Sequence, residues 1–140
     1  MVRKSVLLLV FITIFFNYSI INAENNKHVE ILIIESDEII KSVPINPNIQ
    51  SEVEHIISKI DDVVKKFRPI PDKGVLMKIP LEPSININNQ FLNTLIDEVI
   101  IIIPEDENPY LLVFDDENRS WFFTFSTPLN KLLKTLNVSL

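Results

Sequence analysis

The sequence predicts an α+β domain in which an antiparallel β-meander packs against an amphipathic helix over 47–67 and a short C-terminal helix over 128–136. Three observations predict it. Residues 99–103, 110–114 and 121–125 are short runs rich in β-branched and aromatic side chains, separated by the tetrads Glu105-Asp106-Glu107-Asn108 and Asp115-Asp116-Glu117-Asn118. Between 47 and 67, Ile49, Val53, Ile56, Ile57, Ile60, Val64 and Phe67 recur at the spacing of one helical face. Leu129, Leu132, Leu133 and Leu136 repeat that spacing after Thr127-Pro128.

Taken in order, the chain opens with Arg3 and Lys4, an apolar stretch over 6–21, and Ile21-Asn22-Ala23 ahead of Glu24. This is the layout of a secretory signal peptide, with cleavage expected after Ala23. The stretch falls short of the roughly 20 residues that span a bilayer. The alternative is an uncleaved anchor, because Ile21 is bulky for its place before the cut. Either way residues 24–140 are expected to be exported as one α+β domain, secreted or extracytoplasmic, touching a membrane only through the N-terminal segment. Without cysteine, neither a disulfide framework nor a lipidated cysteine is available.

Residues 28–34 read as a strand, followed by a second apolar patch at Ile39-Ile40. The long helix has agreeing end signals. Asn46 is the N-cap and Pro47 the first helical residue, Glu52 and Glu54 occupy early turns, and Lys65, Lys66 and Arg68 crowd the end before Pro69. Pro71-Asp72-Lys73-Gly74 is a turn leading into strand candidates at 75–79 and 84–88. Residues 90–97 fit either a short helix or an irregular strand. The C-terminal helix is too short to persist alone, so its leucines are expected to dock on the meander against Phe122 or Trp121.

Residues 99–103 are apolar at every position, so both faces of the sheet should be covered. Either the helices lie on opposite faces, or both share one face and a second subunit or the 29–34 strand covers the other.

Charge narrows the function. Residues 24–140 hold eleven bases against nineteen acids, a formal charge of −8. Such a domain repels phosphate backbones, which excludes nucleic acid as a partner, and it argues against an electrostatic grip on anionic lipid. The single glycine excludes phosphate-cradling glycine-rich loops, and no cofactor is expected.

The acidic tetrads precede and follow one strand, so they lie about 17 Å apart at roughly 3.4 Å per residue. Calcium ligands must lie about 2.3–2.6 Å from their ion, so the tetrads cannot share one. They read as turns, with a weak surface cation site at either tetrad as the alternative. There is no thiol nucleophile. Of the two histidines, His55 falls on the solvent side of the helix beside Ser58 and Lys59, and His28 lies near the exported terminus. Their spacing does not suggest a zinc site. Among the carboxylates only Asp97-Glu98 abuts an apolar run, which makes a hydrolase using that pair the alternative function. Trp121, Phe123 and Phe125 alternate on one strand face, with Tyr110, Leu112 and Phe114 as cross-strand neighbours. They read as core packing. The functional alternative is an aromatic strip of Tyr110, Trp121, Phe123 and Phe125 that binds a peptide, glycan or protein. The expected role is therefore non-catalytic protein binding or self-association.

Overall fold

The computed structural model describes residues 27–140; the expected signal segment and its cleavage point lie outside the described residues. The chain forms β1 (His28–Ile33), β2 (Glu38–Pro44), α1 (Pro47–Ile57), β3 (Ile60–Val63), β4 (Gly74–Asn88), β5 (Asn93–Pro104), β6 (Tyr110–Phe114), β7 (Ser120–Phe125) and α2 (Asn130–Leu136). The strands form one sheet in the order β2-β1-β4-β5-β6-β7-β3. Every neighbouring pair is antiparallel. The fold is α+β, mostly antiparallel sheet, with the predicted meander as β5, β6 and β7.

The predicted helix over 47–67 ends ten residues early. Its start is as read: Asn46 Oδ1 accepts from the amides of Asn48 and Ile49, both at 3.0 Å, with Pro47 first in the helix. After Ile57 the chain tightens, with the Lys59 amide bonded to Ile56 O, and then extends. Ile60 pairs with Phe125 and Val63 with Phe123, making β3 an edge strand beside β7. The physical reason lies in the side chains. Ile60, Val63 and Val64 are β-branched and flank Asp61-Asp62, poor helix formers whose backbone groups find partners on β7 instead. Phe67, assigned to the apolar helical face, is 99% exposed.

One strand expectation changes, and one left open between helix and strand is settled as strand. Segments 75–79 and 84–88 belong to one strand, β4, whose register with β5 is interrupted between Pro80 and Ile85, where Glu82-Pro83 is a cis peptide. Residues 93–97 join β5 rather than a helix: Thr94 and Ile96 are buried while Asn93, Leu95 and Asp97 are exposed, the period of two that a strand imposes. Asn89 turns the chain between them, its Oδ1 accepting from the amides of Phe91 and Leu92.

The chain's single glycine is required where it sits. Gly74 opens β4 at φ +130°, and a Cβ there would lie 2.2 Å from Ile103 O and 2.9 Å from Pro104 Cα. Both contacts are with backbone, which cannot rotate away. Gly74→Ala is therefore expected to lower stability by more than about 1 kcal/mol, a loss that denaturant unfolding would measure. An alanine variant with an unchanged midpoint would contradict this account.

The two faces of the sheet differ. Val29, Ile31, Met77, Ile101, Leu111 and Phe123 share one buried cluster with Ile49, Val53, Ile56 and Ile57 of α1 and with Leu129, Leu132 and Leu136 around α2. Both helices thus belong to the same side, and the 28–33 strand lies within the sheet rather than across it. The opposite face carries a smaller cluster of Ile102, Tyr110 and Leu112, flanked by Val64, Leu76, Ile100 and Phe122. Residue alternation explains the split: Phe123 pairs with Leu111 on one side, Phe122 with Leu112 on the other. Of the two aromatics expected under the C-terminal helix, only Trp121 belongs to the helix-side cluster; Phe122 faces away.

Helix α2 begins at Asn130, not at Pro128. No side chain caps it, and its first turn closes through the Leu133 amide on Leu129 O. Asn137 ends it in the left-handed conformation, φ 53°, with the Val138 amide on Leu133 O. Lys41 of β2 donates to Asn137 O at 2.6 Å, tying that end to the edge of the sheet. Both sheet edges carry features that discourage strand addition: a register irregularity and Lys41 on β2, and a four-residue length with Asp61-Asp62 on β3.

Candidate functional site

The four aromatics of the expected binding strip are divided between the two faces. Trp121, Phe123 and Phe125 share the helix side of β7, and their cross-strand partners on β6 are Val113 and Leu111, not Leu112, Phe114 or Tyr110. That one-residue difference in register moves every β6 partner to the other face. Phe123 has no exposed surface, while Trp121 and Phe125 are half-buried. The Trp121 and Phe123 rings stack at 6.1 Å and 9°, and Phe91 meets Phe123 at 5.9 Å. Tyr110 lies on the opposite face, nearly buried. Its hydroxyl donates to Pro69 O, and Lys66 Nζ stands 5.2 Å from its ring centroid. Burial pushes the Tyr110 hydroxyl above its ordinary range, keeping it protonated as a donor.

The second tetrad is a turn built around one carboxylate. Asp115 is buried, and its oxygens accept from the amides of Glu117 and Arg119, from Arg119 Nε at 2.7 Å and from Trp121 Nε1 at 2.9 Å. Asn118 takes the left-handed conformation at φ 58°, and Asp116 Oδ1 accepts from the Thr94 hydroxyl at 2.9 Å. The signal for this was in the sequence: an aspartate followed at two and four residues by amides it can bond, with asparagine between. The indole N–H of Trp121 foremost, helped by the two amides and the guanidinium, holds the Asp115 carboxyl well below the usual carboxylate range against the opposing effect of burial. A group depressed in the folded state contributes stability that is present above its unfolded pKa, near 3.9, and is lost as pH falls through the folded value. The melting-temperature gap between the native chain and Asp115→Asn should therefore be widest near neutral pH and close progressively below about pH 4. A gap constant from pH 7 to pH 2 would refute this role.

The first tetrad is an exposed loop between β5 and β6, where Glu107 pairs with Lys66. It lines an open hollow of about 720 Å³ with Val64, Tyr110 and Thr124. The two tetrads flank β6 at its opposite ends. Among the described residues, no three His, Cys, Asp or Glu side chains come together to hold a metal ion.

Asp97 and Glu98 sit at the interrupted register between β4 and β5. Asp97 is exposed, and Glu98 pairs with Lys78 at 3.5 Å. They line a shallow hollow of about 400 Å³ with Lys27, Pro80, Phe114 and Asn118. His55 is exposed on α1, where its carbonyl accepts from the Ser58 hydroxyl.

One buried polar residue was not anticipated. Gln50 of α1 accepts from the Glu82 amide at 3.0 Å and donates to Pro83 O at 2.9 Å and Glu54 Oε1 at 3.1 Å. It thereby satisfies backbone groups left without ladder partners where β4 departs from β5. Its role is structural, and the hollow of about 490 Å³ beside it shares its residues.

Comparison with known protein families, with curated proteins and with solved structures returns no match for this chain.

Proposed function

We propose that this chain is an exported, non-catalytic domain that works by binding protein, its own copy included, through the sheet face that turns away from the helices. In this reading α1, with its apolar side inward, and α2 are the cover of one face, and the other face is the working surface. The observation that carries it is that asymmetry. Phe114 is 42% exposed and Ile39, across the sheet from Leu76 by way of Leu32, is 51% exposed, while Leu76 and Ile100 between them and Phe122 on the neighbouring strand β7 are half-buried. Exposed apolar area of this kind marks interaction surfaces. The two blunted edges favour a facial contact over strand addition.

The test is charging that face in residues 24–140, which hold the whole described sheet and both helices. Ile39→Lys combined with Phe114→Lys is expected to leave the fold intact and to reduce the binding of a hydrophobic fluorescent dye. A native chain that binds no dye and forms no assembly would end the reading. The hollow beside Asp97 and Glu98 supports a second reading, a carboxylate-dependent hydrolase, for which loss of activity in Asp97→Asn is the discriminating measurement.

A further inference from the structure

We infer that two copies of this chain pair about a two-fold axis through the 65–73 segment and the acidic loop beside it, an inference that rests on the protein-binding reading and names the partner. The segment holds Lys65, Lys66, Arg68 and Lys73, four of the eleven basic residues in a stretch of chain that carries −8 overall. Lys65 pairs locally with Asp62, and two further contacts fasten the segment to the sheet and its loop. Lys66 pairs with Glu107 and stands over the Tyr110 ring, and Pro69 O receives the Tyr110 hydroxyl. Between these fastenings Phe67 is 99% exposed, more than any other large apolar side chain among the described residues, and Ile70 beyond them is 52% exposed.

A phenylalanine held out between two anchored neighbours adds nothing to the core, and its hydration is a standing cost that only a partner removes. Lys66 itself helps line the open hollow, together with Val64, Tyr110, Glu105, Asp106 and Glu107. Arg68, Glu105 and Asp106 make no hydrogen bond or ion pair among the described residues. One surface therefore carries an aromatic knob and a hollow, an unpaired base and unpaired acids. A two-fold axis brings each against its complement twice, the isologous arrangement of closed dimers. Phe67 of each copy enters the hollow of the other, and Arg68 meets the other's Glu105 and Asp106. An anionic membrane suits this surface poorly, because the carboxylates that rim the hollow would face it together with the bases. A wholly acidic peptide meets the same repulsion. A second copy satisfies both signs at once.

Sedimentation velocity on residues 24–140 tests the pairing. The native chain is expected to show a concentration-dependent dimer, and Phe67→Ser to weaken it by roughly tenfold or more, as loss of a central aromatic anchor does. Arg68→Glu alone and Glu105→Arg with Asp106→Arg alone should each weaken it as well. An equimolar mixture of those two variants should restore it, because the reversed charge at position 68 of one then meets the reversed charges at positions 105 and 106 of the other, while the unaltered Arg68 and Glu105-Asp106 still match. All of these positions are exposed, so melting temperatures unchanged at concentrations where the native chain is monomeric establish that the fold is intact in each variant. A native chain that stays monomeric yet binds the hydrophobic dye overturns the pairing and leaves the broader reading standing. A dimer indifferent to Phe67 and to the charge exchange overturns this surface. Loss of both association and dye binding removes the broader reading too.

Discussion

Truncation after Ser126 is expected to leave a chain that no longer folds cooperatively. The cut removes Leu129, Leu132 and Leu136, none more than 6% exposed, from the cluster they share with α1 and the sheet. At about 1.5–3 kcal/mol for each such side chain buried, three of them approach the whole net stability of a domain, roughly 5–15 kcal/mol. The cut also bares the side of α1 that packs against α2. Within the helix the losses should be graded. Leu132→Ala, at a site with 1% exposure, should cost about 2–5 kcal/mol, and Leu133→Ala, half-buried, should cost less. Scanning fluorimetry and light scattering on the truncated chain decide the matter. If it melts cooperatively as a monomer, α2 is dispensable to the fold, and its leucines serve a partner instead.

Phe123→Ala should be among the most damaging single substitutions, lowering stability by about 3–5 kcal/mol. Among the described residues Phe123 is the bulkiest side chain with no exposed surface. Its ring meets Trp121 and Phe91, and its backbone bridges β6 and β3 through Leu111 and Val63. Removing the ring would leave a cavity where β7 meets its two neighbouring strands and the helix layer. Two other phenylalanines provide the contrast. Phe122 lies on the opposite face in the smaller cluster, so Phe122→Ala should cost less, and Phe67→Ala, fully exposed, should fall within about 0.5 kcal/mol of the native chain. Chemical denaturation of the three alanine variants measures the order directly. A Phe123→Ala loss no larger than that of Phe122→Ala would mean that the helix-side cluster does not dominate stability.

Much of the architecture was legible in the residues because its causes are local. The Asn46-Pro47 start of α1 needs only a side-chain oxygen two and three residues from the amides it caps, and the second tetrad turns the chain through bonds made within a few residues. The β-rich runs between them had strands as their one economical use. The period of two at 85–88 and the leucine spacing after Pro128 likewise report which side of each element is apolar, whatever lies opposite.

Other features were settled only by contacts between distant parts of the chain. Ile60, Val63 and Val64 fit a helix or a strand equally well by spacing, and the choice fell to strand because β7, some sixty residues later, offers an open edge to pair with. The register of β7 on β6 likewise decided that Tyr110 and Trp121 lie on opposite faces, although both stand in apolar runs that read alike. The placement of both helices on one side belongs to the same class, since an all-apolar run such as 99–103 states that both of its faces shun water but not what covers either. Hydrophobic burial is non-directional, so a sequence can specify that a surface is hidden, while only the pairing of strands and the lengths of the connections between them specify what hides it.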